Sequence, residues 1–335
     1  MTNTGENDIL ESRSSSVGRD LKEAAMLLTL ALIPVVGLLV FIYFKDRKEK
    51  EPFKYLVALF FGGMATVVTA VAGEYLGDLI LNAALPGVSV LKQVISAIFV
   101  VGFFEELGKF LVLMIFTWRS KNFNYSYDSI VYAVFISLGF AAFENVMYVF
   151  SNGVGTAVLR MISAVPGHAC FAVFMGFFYG KAKYAALTNK KGSSAFNIIL
   201  AMAVPMLVHG IYDAILMGSK VTGDQTTIGL SVLFWIGFVI VMFVVSFILV
   251  HISSKNDFCI ISLPDKVQTI YRPSVIGDWT CECGRINRLA FCPVCGKQRP
   301  VVTTWYCSKC GAASSLNFCG NCGSPKPSYQ VPVQQ

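Results

Sequence analysis

The sequence predicts an all-α polytopic membrane bundle of about seven transmembrane helices, followed by a small C-terminal pair of four-cysteine zinc ribbons. Three observations predict it. The chain is 55% hydrophobic and only 14% charged, against about 25% charged in an ordinary soluble domain. Its apolar runs each approach the ~20 residues needed to cross a hydrocarbon core. Eight of its ten cysteines crowd into residues 279–323, in two similar units.

Residues 1–24 form a polar N-terminal segment of mixed charge, lacking the short basic region of a cleavable signal peptide. The membrane domain is expected over 25–250, with spans at 25–44, 55–73, 94–116, 130–150, 162–181, 198–216 and 228–250. A linker occupies 251–278, the ribbons 279–300 and 303–325, and a flexible tail 326–335.

The net charge of +7 lies in the loops between spans. Lys45, Arg47, Lys48, Lys50 and Lys54 follow the first span, Arg119 and Lys121 the third, and Lys183, Lys190 and Lys191 the fifth. The alternate loops hold only Lys92, Arg160 and Lys220. Cytoplasmic loops carry the basic excess, so the N-terminus is expected outside and the tail in the cytoplasm of a multi-pass plasma-membrane protein. Arg13, Arg19 and Lys22 in the N-terminal segment dissent, diluted by acidic neighbours.

The two cysteine units read Trp279-Thr-Cys281-Glu-Cys283-Gly…Cys292-Pro-Val-Cys295-Gly and Trp305-Tyr-Cys307-Ser-Lys-Cys310-Gly…Cys319-Gly-Asn-Cys322-Gly. Paired cysteines on Gly-ended turns set four thiolates around a tetrahedral Zn²⁺, giving two structural sites. Disulfides are the alternative, but a cytoplasmic tail keeps its thiols reduced. Nine basic residues stand against four acidic ones from 251 onward. Each four-thiolate zinc site adds about −2, so little positive charge remains for nucleic acid. A cytoplasmic protein partner is the expected use of these modules. Cys170 is read as a small buried apolar residue, and Cys259 is left over. Gly176 and Gly180 are read as close packing within the chain.

Seven polar or ionisable residues interrupt the spans: Glu105, Glu106, Lys109, Glu144, His168, His209 and Asp213. One such group at bilayer depth costs roughly 2.5–3.5 kcal/mol, so seven imply a shared polar interior. Glu105 and Lys109 are i,i+4 neighbours, Glu106 and Lys109 i,i+3, and His209 and Asp213 i,i+4. At 1.5 Å per residue, Glu144, His168 and His209 each fall about 9–11 Å from the outer ends of their spans. Glu105 lies about 16–17 Å in. Similar depths on antiparallel spans point to one chamber.

The ordered set E-E-x-x-K, F-x-x-x-E, H and H-x-x-x-D, carried by Glu105, Glu106, Lys109, Phe140, Glu144, His168, His209 and Asp213, resembles the PrsW family of intramembrane proteases. That family belongs with the CAAX-processing and bacteriocin-immunity proteases and the gamma-secretase scaffold subunit. The resemblance covers roughly 25–250 and implies peptide-bond hydrolysis in a membrane-associated protein substrate, such as a membrane-bound anti-sigma factor. By the same resemblance Glu105 is the expected general base and Glu144 its partner in holding water. His209, oriented by Asp213, is the expected oxyanion donor, with Glu106 and Lys109 in support. A catalytic Zn²⁺ held by His168, His209 and Asp213 or Glu144 is the alternative and is not favoured. An inert scaffold or an ion transporter are further alternatives; no inverted repeat of the transporter kind is visible.

Overall fold

The computed structural model describes residues 4–260, 279–287 and 291–298, with the pairs 305–306 and 313–314. The chain divides into two units, Met1–Pro264 and Asp265–Gln335. Among the described residues the first unit is helical throughout: α1 Thr4–Lys45, α2 Phe53–Ala84, α3 Val90–Ser96, α4 Phe103–Thr117, α5 Asp128–Asn152, α6 Val154–Ile162, α7 Ala164–Leu187, α8 Lys191–Thr222 and α9 Gln225–Lys255. Among the described residues six stretches are long and apolar enough to cross a membrane, and α6 runs into α7 as one of them.

The expected span at 94–116 has a different build. α3 and α4 are joined by a π-helical segment, Ala97–Gly102, so the chain stays helical from Val90 to Thr117. Its hydropathy is broken by Glu105, Glu106 and Lys109. π turns recur at functional sites because the extra residue re-aims the following side chains. Here close approach fixes the turn. A Cβ on Gly102 would meet the Met206 carbonyl at 2.9 Å, and one on Gly210 would meet Ile98 Cα at 2.5 Å. The π turn therefore lies directly on α8, one helical turn from His209.

α5 is the central helix, buried along most of its length, whereas α9 is largely exposed. Small residues set its neighbours close. A Cβ on Gly63 of α2 would strike the Ile136 carbonyl, and one on Gly176 of α7 would strike Ile130. Gly176 thus serves packing within the chain. The core around α5 includes Leu56, Leu113, Tyr132, Leu138, Val173 and Tyr179.

The observed helices outrun the expected spans at nearly every end. α2, for example, continues eleven residues past 73 to Ala84. Hydropathy marks the apolar stretch of a helix, but its backbone hydrogen bonds continue into polar sequence.

One end of this unit gathers acidic side chains. Asp257, just past α9, accepts from Tyr127 N at 2.9 Å and Ser126 Oγ at 2.8 Å. It thereby satisfies a free amide at the start of α5. Tyr125 pairs with Cys259 as an antiparallel bridge, and Ile260 N donates to the Asn124 carbonyl. Asp46 and Glu51 are buried beside them, with oxygens that accept no hydrogen bond. Burial pushes the Asp46 carboxyl up to about 6, against the pull of Lys50. Burial likewise pushes Glu51 up to about 7, and the charges of Asp46 and Glu49 add to the rise.

In the second unit, β1 Trp279–Thr280 pairs antiparallel with β2 Ile286–Asn287, and β3 Trp305–Tyr306 with β4 Ala313–Ser314. Cys281, Cys283, Cys292 and Cys295 converge, each offering sulfur within 4.8 Å of the others. The turns close at Gly284 (φ 83°) and Gly296 (φ 71°), a backbone region that favours glycine. Burial would raise the Cys292 thiol, but the amides of Val294 and Cys295 hold it at about 6. Such a site suits Zn²⁺, which binds thiolate. Cys307, Cys310, Cys319 and Cys322 lie outside the described residues.

Candidate active site

α4 supplies the centre of the site. One turn after the π segment, Glu105, Glu106 and Lys109 point inward, all buried. Lys109 Nζ reaches Glu106 Oε1 at 2.7 Å and Glu105 Oε2 at 3.3 Å, as helical spacing requires. It also reaches His168 Nδ1 on α7 at 3.2 Å and lies 4.0 Å above the Phe140 ring of α5. This ammonium is the hub of the chamber.

The hub sets a tautomer. An ammonium has donors and no acceptor. His168 Nδ1 therefore accepts, and the ring proton sits on Nε2, which donates to Glu144 Oε2 at 2.9 Å. Ser137 Oγ donates to the His168 carbonyl at 2.9 Å and ties α5 to the start of α7.

His209, on α8, lies between carboxylates. Its Nδ1 is 2.9 Å from Glu106 Oε1, and its Nε2 is 3.3 Å from Asp213 Oδ2 and 3.9 Å from Glu105 Oε2. Phe171 stacks on the ring at 4.4 Å between centroids, and His168 meets it edge-on at 5.3 Å. All seven expected residues thus meet in one interior. The gradient of exposure shows where it opens: the Glu106 side chain is fully buried, Glu144 is 15% exposed and Asp213 25%.

The carboxylates are engaged unequally. Glu106 Oε1 takes both Lys109 and His209 Nδ1 at short range. Glu144 Oε2 takes His168 Nε2 and Arg160 Nη2. Glu105 Oε2 has the 3.3 Å contact from Lys109 and a 3.9 Å approach of His209 Nε2; its other oxygen, like Glu106 Oε2, has no hydrogen-bond partner among the described residues. Glu105 is the least tightly held of the three glutamates.

Three participants were not singled out in the sequence. Arg160 of α6 binds Glu144, and Asn145 accepts from Arg160 Nε at 2.8 Å while donating to the Ala31 carbonyl of α1. Glu74 of α2 is half-buried and within electrostatic reach of Glu144, His209 and Asp213. The available signal was the lone Arg160 in an otherwise apolar stretch, which was counted as a loop charge.

Glu105, Glu106, His168 and His209 offer ligand atoms within 4.8 Å of one another. Two imidazoles and two carboxylates are donor types that suit zinc. The four differ from the expected metal set, because Glu144 and Asp213 are not among them. As arranged they do not fit an ion. Both nitrogens of His168 are engaged, both of His209 face carboxylates, and the Lys109 ammonium already bonds Glu105, Glu106 and His168. A dication there would meet that fixed positive charge.

A family model described as PrsW family intramembrane metalloprotease matches residues 51–250. Protease PrsW of Geobacillus kaustophilus is 32% identical over 209 residues, covering 62% of this chain and 88% of that protein. Protease PrsW of Oceanobacillus iheyensis is 35% identical over 198 residues, covering 57% and 83%. Protease PrsW of Bacillus subtilis is 34% identical over 190 residues, covering 57% and 82%. No solved structure matches. The family match covers the helices that build the chamber and stops before the cysteine-rich tail, and the chain belongs to the PrsW family of intramembrane proteases.

Proposed function

We propose that this protease hydrolyses peptide bonds with a water activated by Glu105 and without a catalytic metal. The observation that carries the reading is the unequal engagement of the three glutamates: Glu105 is approached only at 3.3 Å by Lys109 and 3.9 Å by His209, whereas Glu106 and Glu144 each take two donors at 2.9 Å or closer. Glu105 takes a proton from water as the water oxygen bonds to the scissile carbonyl carbon. His209, held between Glu106 and Asp213, donates an N–H to the developing oxyanion. Glu105 then passes its proton to the amide nitrogen as the C–N bond breaks. Glu144 keeps one oxygen for the water while its other orients His168. Lys109 balances the acids.

A zinc-dependent reaction is the second reading, favoured by the family's description and by the four-ligand cluster. It requires Lys109 to leave that cluster. The test uses full-length protein in detergent with single-span peptides as substrates. Cleavage lost in Glu105→Gln and retained by wild type under a zinc chelator supports the glutamate reaction. Cleavage lost on chelation and restored by Zn²⁺ supports the other.

Membrane-associated proteins are the proposed substrates, a membrane-bound regulator of the anti-sigma-factor kind among them. The proposed topology has the N-terminus outside and both ribbons in the cytoplasm, each holding one structural Zn²⁺ and available to a protein partner. The basic loops then face the cytoplasm, and the chamber opens in the opposite half of the bilayer.

A further inference from the structure

We propose that Arg160 is a positioning residue of this site, acting through Glu144. The inference rests on Glu144 serving the reaction as proposed above. α6 is a nine-residue helix that follows α5 after a single turn at Gly153, whose φ of 78° lets the chain double back. The reversal lays α6 along α1 and α5. Ala157 is fully buried with Leu27, Ala31 and Val149, while Val158, Leu159 and Ile162 face outward. That packing aims Arg160 at the mouth of the chamber.

The guanidinium there is held on three sides. Nη2 donates to Glu144 Oε2 at 2.8 Å, Nε donates to Asn145 Oδ1 at 2.8 Å, and the group lies 4.2 Å over the Tyr148 ring. Glu144 and Tyr148 are i,i+4 on α5, so one side chain spans a full turn of that helix. Asn145 is itself fixed, through its amide, to the Ala31 carbonyl. A forked donor resting on an aromatic face fits these partners, and lysine cannot reproduce both its bonds and its plane.

The consequence falls on Glu144. Oε2 receives two donors, His168 Nε2 at 2.9 Å from α7 and Arg160 Nη2 at 2.8 Å from α6. Those two bonds fix the rotation of the carboxylate, and so where its other oxygen points. Without Arg160, only the histidine would hold it, where the Glu144 side chain is 15% exposed. Arg160 is therefore a fixed part of the site, and its lone positive charge in an apolar stretch has a use that loop counting misses.

The experiment compares wild type, Glu105→Gln, Arg160→Ala and Arg160→Lys as full-length protein in detergent, cleaving a single-span peptide. Arg160→Ala is expected to lose about 10- to 100-fold in kcat, as for a lost hydrogen bond to a charged group, with KM little changed. Arg160→Lys should fall between. Millimolar guanidinium should restore Arg160→Ala several-fold, while sodium chloride at the same ionic strength should not. A helix anchor with no role in catalysis would not respond to a free guanidinium ion. Wild-type kcat in Arg160→Ala overturns the proposal. So does a loss that guanidinium leaves unchanged and that follows the amount of folded protein. Full activity in Glu105→Gln would instead sink the general-base reading, whatever Arg160→Ala does.

Discussion

Replacing Lys109 with methionine tests the hub of the chamber. Methionine keeps most of the side chain's length and removes the charge. Three groups then lose their donor: Glu106 at 2.7 Å, His168 Nδ1 at 3.2 Å and Glu105 at 3.3 Å. Glu106 keeps only His209. Breaking a buried ion pair by deleting one partner costs about 3–5 kcal/mol, because the remaining charge has no counter-ion. For a unit of this size each kcal/mol moves the midpoint of unfolding by about 2–4 °C, so Lys109→Met should melt roughly 6–20 °C lower. Far-UV circular dichroism in detergent suits the measurement, since the described helices all lie in the membrane unit. Adding Glu106→Gln to Lys109→Met should recover a large part of the loss, because removing both partners of a buried pair costs far less than removing one. Proteolysis should be absent from both variants. If Lys109→Met melts within about 2 °C of wild type and still cleaves substrate, the ammonium is not the centre of the network.

Other consequences can be checked separately. His209→Ala removes the proposed oxyanion donor and should lower kcat about 10²–10³-fold, while Asp213→Asn should cost less because Glu106 still holds the ring. Asp46 and Glu51 titrate near 6 and 7 in the folded chain, above their ordinary 3.8 and 4.5. Between about pH 4 and 7 the folded state therefore binds more protons than the unfolded one, so stability falls as pH rises through that window. The melting temperature should be lower at pH 8 than at pH 5.5, and Asp46→Asn with Glu51→Gln should flatten the difference. An unchanged slope in that double variant would exclude these two carboxyls as its source. Elemental analysis should find two zinc ions per full-length chain, and Cys281→Ser with Cys292→Ser should reduce this to one. A third ion surviving in the membrane unit would argue for a metal in the chamber.

Much of the chamber could be read from spacing. Glu105 with Lys109 and His209 with Asp213 are contacts within single helices, and helical periodicity alone brings them together. The meeting of His168 with Glu144 followed from equal depth on neighbouring spans. Longer-range pairings were out of reach. Lys109 lies 59 residues from His168 and Glu106 lies 103 from His209, and which helix faces which depends on packing at Gly102 and Gly210. The π turn left no mark in hydropathy, because one extra residue per turn does not alter composition. Arg160 was missed because α6 falls between two apolar runs and reads as a loop. The buried acids Asp46, Glu51 and Asp257 were hidden in the same way, since loop residues are taken to be wet until a fold covers them.

The central claim is that Glu105, and no metal, activates the water. The most direct measurement is the cleavage rate of a single-span peptide by wild type and Glu105→Gln, each with and without a zinc chelator. The account predicts that wild type keeps cleaving under chelation and that Glu105→Gln falls by about 10²–10⁴-fold, the usual worth of a positioned base. Wild-type activity that disappears on chelation and returns with added Zn²⁺ would contradict it.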